Sequence, residues 1–246
     1  MAGATNTFET GLTPGTVITG ANSGNGDAGT GFGSNWYMAS GATPTYADDH
    51  VMRGDLSGKL TLVSSAGGSL GFNTESSPGH WTRGYFRFSA LPSGHATVHT
   101  VRDGAVAASG FWVRLQTSGV LQILDRTTFT GVATSPVLSP GVWYRLETHF
   151  RVNGAWEYWL YEDDSETALA TSSGTIASTS GTKFDFCRWG AEGSGLSMDL
   201  WMDDLAWSDV GKIGASYVEP PPVTPGIPHL FYDTGSAWVD LNNPTA

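Results

Sequence analysis

The stretch VWYRLETHFRVNGAWEYWLYEDDSE, Val142 to Glu166, decides the fold. Two runs rich in aromatic and branched residues flank Asn153-Gly154, a pair suited to the positive φ angles of a two-residue hairpin turn. Alternate residues of a strand share a face. With a two-residue loop, Val152 faces Ala155. One face then carries Val142, Tyr144, Leu146, Thr148, Phe150 and Val152 with Ala155, Glu157, Trp159 and Tyr161, and it reads as the core face. The other carries Trp143, Arg145, Glu147, His149 and Arg151 with Trp156, Tyr158, Leu160 and Glu162. In this register Glu162 lies opposite Arg145, and Arg151 lies opposite Trp156. A slip of one residue cancels the assignment, because it exchanges the faces.

Strand-like runs recur on either side of this hairpin, separated by turn residues. They are WYMAS (36–40), KLTLVSS (59–65), WTRGYFRFSA (81–90), ATVHTVRD (96–103), GFWVRLQ (110–116), VLQILD (120–125), KFDFCRW (183–189) and MDLWMDDLAWSD (198–209). No helical period of useful length appears. Many short strands with Gly/Pro turns imply an all-β, antiparallel β-sandwich over residues 1–218. The segment 219–228, EPPPVTPGIP, holds five prolines and reads as a stiff polyproline spacer. Residues 229–246 could form a small hairpin around Thr234-Gly235-Ser236. Eighteen residues cannot bury a core of their own. Phe231, Tyr232 and Trp238 are therefore expected to dock on another surface.

The 246-residue chain carries a formal net charge of −11. So acidic a chain lacks the basic face that nucleic acid or an anionic membrane requires. The single cysteine, Cys187, excludes an internal disulfide and reads as a small buried hydrophobe. No Cys or His spacing signals zinc. The N-terminal segment has neither the charge nor the apolar run of a secretory leader, so synthesis in a cytosol is expected.

The order of WYRLETHFRVNG, WEYWLYED, KFDFCRWG and MDLWMDDLAWSD resembles concanavalin A-like lectin/glucanase sandwiches of the laminin-G-like kind. Trp143-Tyr144-Arg145, Asn153-Gly154 and Met202-Asp203-Asp204-Leu205 carry the likeness, over roughly residues 5–210. The resemblance implies a jelly roll of two antiparallel sheets. It also implies sugar binding or protein adhesion, and in some members glycan hydrolysis. The Gly/Thr/Asn-rich N-terminus, the proline spacer and the YDTGSAWVDL tail further resemble tailed-phage virion proteins, such as minor tail or capsid decoration proteins.

Three functions compete. Glu162, Asp164 and Glu166 match the E-x-D-x-E spacing of glucanases of this fold. However, Asp163 and Ser165 would have to point into the core, and Asp163-Asp164-Ser165 is turn chemistry. A catalytic acid also needs a raised pKa, which an arginine opposite Glu162 would oppose. No catalytic constellation is therefore assigned. The second function is glycan binding by Trp143, His149, Arg151, Trp156 and Tyr158, a mixed aromatic and polar surface. Asp48-Asp49, Asp199 and Asp203-Asp204 could offer oxygen ligands to Ca2+, but strand alternation sends Asp203 and Asp204 to opposite faces, so no metal site is assigned. The third, which the sequence favours, is a non-enzymatic virion protein. It would be displayed on a particle through contacts with other virion proteins or copies of itself, with a host-surface glycan as a further partner.

Overall fold

A computed structural model of the chain describes residues 3–9, 11–19, 22, 37–38, 42–106, 109–177, 181–215, 231–233 and 238–240. Among these, every regular element is a strand. In chain order they are β1 (Gly3–Asn6), β2 (Tyr37–Met38), β3 (Thr45–Ala47), β4 (Ser57–Ser77), β5 (Gly79–Phe88), β6 (Ala96–Arg102), β7 (Phe111–Leu115) and β8 (Val120–Asp125). There follow β9 (Gly131–Val137), β10 (Tyr144–Arg151), β11 (Ala155–Glu162), β12 (Ala170–Thr175), β13 (Phe184–Ser208), β14 (Phe231–Asp233) and β15 (Trp238–Asp240). All pairings are antiparallel.

Hydrogen bonding runs unbroken along the order β12-β11-β10-β5-β13-β6-β7-β8-β9. Yet the Phe150 ring on β10 stacks on Phe111 of β7 at 4.5 Å between centroids. Those strands stand well apart in the order, so the ladder folds over itself. The Tyr158 hydroxyl on β11 likewise donates to the carbonyl of Thr134 on β9 at 2.9 Å. The hinge lies in the two long strands. Pairing of β13 with β4 is interrupted between Glu192 and Leu196. The C-terminal half of β13 bonds β5 and the N-terminal half bonds β6. The first sheet is therefore β12-β11-β10-β5 with the late part of β13, and the second is β9-β8-β7-β6 with its early part. They face one another across one apolar core, which makes the all-β antiparallel sandwich expected from the sequence.

Gly84 on β5 shows how closely the sheets approach. A methyl group there would meet the ring of Trp189, on the opposite sheet, at 2.7 Å. Trp189 is fully buried and cannot swing away. Gly84→Ala is expected to destabilise the fold by about 1–3 kcal/mol, read as a lower urea midpoint at unchanged slope.

The hairpin is present, with a different turn. Phe150 pairs with Trp156 and Leu146 with Leu160. The loop is therefore Val152-Asn153-Gly154, one residue longer than the Asn-Gly signal implied. Gly154 takes φ +89°, and its N–H donates to the Arg151 carbonyl at 3.0 Å. This is the three-residue turn whose last member is left-handed. The extra residue shifts β11 by one, so Trp156 and Tyr158 enter the core while Trp159 turns outward. Glu162 lies opposite Tyr144, not Arg145. Strands β9 and β12, GVATSPV and ATSSGT, escape a reading of apolar alternation because they are small and polar. Among the described residues they end the two sheets, where one side of the ladder is unpaired and short polar strands are tolerated.

The chain divides into two compact units, Met1–Gly214 and Ala215–Ala246. In the second, β14 pairs with β15 through Phe231↔Asp240 and Asp233↔Trp238. The proline spacer 219–228 and the side chains of Phe231, Tyr232 and Trp238 lie outside the described residues.

Candidate functional site

The outer face of the first sheet collects the residues that alternate with the core. From β10 come Arg145, Glu147, His149 and Arg151, from β5 Trp81, Arg83 and Tyr85, and from β11 Glu157, Trp159 and Tyr161. At the hairpin end Trp81 stacks on His149 at 3.8 Å, with ring planes 18° apart. Trp81 also lies nearly parallel to Trp159, at 5.8 Å and 20°. Both indoles are half-buried, each leaving part of its ring to solvent. Arg151 Nη2 donates to His149 Nδ1 at 2.9 Å and to Glu157 Oε1 at 2.8 Å. With Nδ1 accepting, the ring is neutral. Burial, reinforced by the Arg151 charge, lowers His149 to about 4. Beside this platform is a cleft of about 430 Å³ between Pro78-Gly79 and Val152-Asn153, with Asp209 on its rim.

The middle of the same face is covered. Lys212 Nζ sits 4.2 Å from the Trp159 ring and donates to the Tyr161 hydroxyl at 2.8 Å. Beneath it Glu147 pairs with Arg145 at 2.9 Å, both almost fully buried. Arg145 stacks over Tyr161 at 3.9 Å. At the far end, residues 47–53 close over Trp143, which is only 8% exposed and packs with Ala47, Tyr85 and Trp201. So His149 and Arg151 stand together as expected, and Trp143 is on their face but under a loop. Trp156 and Tyr158, 4% and 3% exposed, belong to the opposite face. Trp81 and Trp159 take their place. Only the turn length hid Trp159.

YEDDSE is a strand end and a turn. Asp163 is left-handed at φ +55°, and the Ser165 N–H returns to the Glu162 carbonyl at 3.1 Å. Asp164 accepts from the Tyr85 hydroxyl at 2.6 Å and pairs with Arg53, while Glu162 and Glu166 point into solvent. The three carboxylates do not converge. Asp203 and Asp204 do, against the expectation of strict alternation. A one-residue bulge follows Asp203, and Asp204 is left-handed at φ +44°. Asp203 Oδ2 accepts from the N–H groups of Met52 and Arg53 at 3.0 and 3.2 Å. Asp204 meets Arg53 Nε at 3.2 Å. The pair clamps the covering loop to the sheet. Burial and the Asp204 charge push the Asp203 carboxyl well above its usual range. Lys59 stands between Asp49 and Asp199, at 2.6 and 3.5 Å. Among the described residues no three metal-ligating groups gather.

The outer face of the second sheet was not singled out from the sequence. It carries Arg102, Trp112, Arg114, Phe186 and Arg188, with Arg126 just beyond β8. Beside it a cleft of about 600 Å³ is lined by Asn73, Thr74, Arg102, Asp185, Phe186 and Arg188.

No protein-family model matches the chain, and no curated protein matches it. Solved structures do. The chain is similar to the cellulose induced protein Cip1, at 17% identity and a TM-score of 0.54, over 74% of this chain and 94% of Cip1. The receptor-binding domain of a botulinum neurotoxin of mosaic serotype C/D gives 12% identity and a TM-score of 0.47, over 70% of this chain and 42% of that one. The exoplasmic/lumenal domain of VIP36, in its Ca2+/Man3GlcNAc-bound form, gives 9% and 0.45, over 72% and 83%. At these identities the likeness is one of fold.

Proposed function

We propose that the chain is a carbohydrate-binding module of lectin type, and that it binds through the hairpin end of the first sheet. One observation carries this reading: Trp81 and Trp159 lie nearly parallel and partly exposed, with His149, Arg151 and Glu157 around them and a cleft alongside. A pyranose presents an apolar face of C–H groups and a rim of hydroxyls. Indole rings cover such a face with little loss of side-chain entropy. A guanidinium and a carboxylate at the rim supply donors and acceptors for the hydroxyls. The Arg151–Glu157 pair holds both groups in place before a ligand arrives, which reduces the ordering cost of binding. The reading needs no chemistry at Glu162, Asp164 or Glu166. Display on a virion would then be a matter of attachment through the tail, at Phe231, Tyr232 and Trp238.

The test is a glycan array with the full chain, followed by titration of any hit. Trp81→Ala and Trp159→Ala should each weaken binding about tenfold or more, as expected for a lost stacking contact. Trp156→Phe, on the core face, should leave affinity unchanged. Absence of any glycan signal, or tight binding by both alanine variants, would overturn the proposal.

A further inference from the structure

The second sheet's outer face gathers Arg102, Arg114, Arg126 and Arg188, four of the twelve lysines and arginines in a chain of net charge −11. Two are stacked on Phe186, Arg102 at 4.5 Å and Arg188 at 5.3 Å. Two are stacked on Trp112, Arg126 at 4.8 Å and Arg114 at 5.3 Å. A guanidinium stacked on a ring is held by its flat face, and its N–H groups still radiate in plane. Those of Arg188 go to both oxygens of Glu192, at 2.6 Å each. Among the described residues, Arg102 Nη1 donates to the carbonyls of Asp103 and Gly104, at 3.3 and 3.2 Å. Arg126 Nε and Nη1 are buried and, among the described residues, have no hydrogen-bond partner.

Between these rows lies Thr100, paired in register with Trp112 on one side and Arg188 on the other. It is 2% exposed, and its hydroxyl has no partner among the described residues. A buried hydroxyl and a buried guanidinium edge left unpaired each cost free energy that a ligand would recover. Like charges crowded together add to this. Burial, with Arg102 and Arg188 nearby, lowers Arg126 to about 10.

We propose that this face is a second ligand site, separate from the tryptophan platform, that holds an oxyanion, the sulfate or carboxylate of an acidic saccharide. Arg126 and Arg102 would donate to the oxyanion, Thr100 would supply a hydroxyl donor, and Trp112 would border the sugar ring. The adjoining cleft of about 600 Å³ leaves room for the saccharide beyond its charged group. Trp81 and Trp159 have no part in it, so the two sites stand or fall apart.

Calorimetric titration of the full chain would use three probes: sodium sulfate, a sulfated oligosaccharide and a carboxylated oligosaccharide, with a neutral oligosaccharide as reference. At least one acidic oligosaccharide should bind more tightly than the neutral one, and its affinity should fall as salt rises. The arm that binds better identifies the group. Arg126→Gln and Arg102→Gln should each weaken that ligand roughly tenfold or more, while Lys59→Gln, which removes a cation outside both sites, should not. If Arg126→Gln fails to fold, Arg126→Lys keeps the charge without the planar fork and should still bind measurably less well. Equal binding of acidic and neutral oligosaccharides would overturn the proposal. So would wild-type affinity in both arginine-to-glutamine variants, or loss of acidic binding in Lys59→Gln alone.

Discussion

Trp156→Ala should lower the stability of the fold by about 3–5 kcal/mol, whereas Trp159→Ala, three residues along the same strand, should lower it by about 1 kcal/mol. Trp156 is 4% exposed, pairs with Phe150 and lies over Gly174, so its removal leaves a cavity between the sheets. Trp159 stands on the outer face, and truncation costs mainly its contacts with Trp81 and Lys212. The two-residue turn would have reversed this order, because it puts Trp159 in the core. Trp156→Phe is the finer measurement. The indole Nε1 of Trp156 is buried without a hydrogen-bond partner among the described residues, so phenylalanine gives up volume but also removes an unsatisfied N–H. Its cost should be well below that of alanine. Urea midpoints for the three variants, at constant slope, decide the matter. A Trp159→Ala that unfolds as readily as Trp156→Ala would contradict the register.

The same turn shows what could be read from the residues. Alternation in 142–152 places every side chain of β10 on the face it occupies, because a strand's period does not depend on its partner. The relative phase of β10 and β11 depends on one loop residue, and Asn-Gly can close a loop of two or of three. His149 and Arg151 were therefore legible, and Trp156 and Tyr158 were misplaced together. The Asp203-Asp204 pair failed for a related reason. A bulge breaks alternation locally, and its signature here is a left-handed aspartate that nothing in the residue type demands. The arginine face of the second sheet was out of reach for a different cause. Arg102, Arg114, Arg126 and Arg188 come from separate strands or their ends, and the pairing of β6 with β7 and β13, and of β7 with β8, brings them together.

Acid should unfold this protein through its core. His99 is fully buried, and its Nδ1 reaches the carbonyl oxygen of Arg188 at 2.9 Å, so Nδ1 carries the proton. Nε2 must then accept, and it does so from the Thr82 hydroxyl at 2.9 Å, which in turn accepts from Thr148 at 2.6 Å. Protonating Nε2 would turn that chain of donors against itself beneath the Trp189 ring, stacked 3.9 Å away. Burial accordingly lowers His99 from 6.5 to about 3 and His80 from 6.5 to about 4. The unfolded chain takes up these protons first. Stability is thus fully present above pH 6.5 and is lost as pH falls toward the folded values, by about 2 kcal/mol per histidine between pH 7 and pH 5. Asp203 acts with the opposite sign, since its raised carboxyl binds a proton more readily in the fold. Variants separate the two effects. Urea unfolding at pH 7 and pH 5 should show the wild type losing more stability on acidification than His99→Gln, and more again than His80→Gln/His99→Gln, by about 2 and about 4 kcal/mol respectively. Equal losses in all three would mean that neither histidine enters the fold neutral.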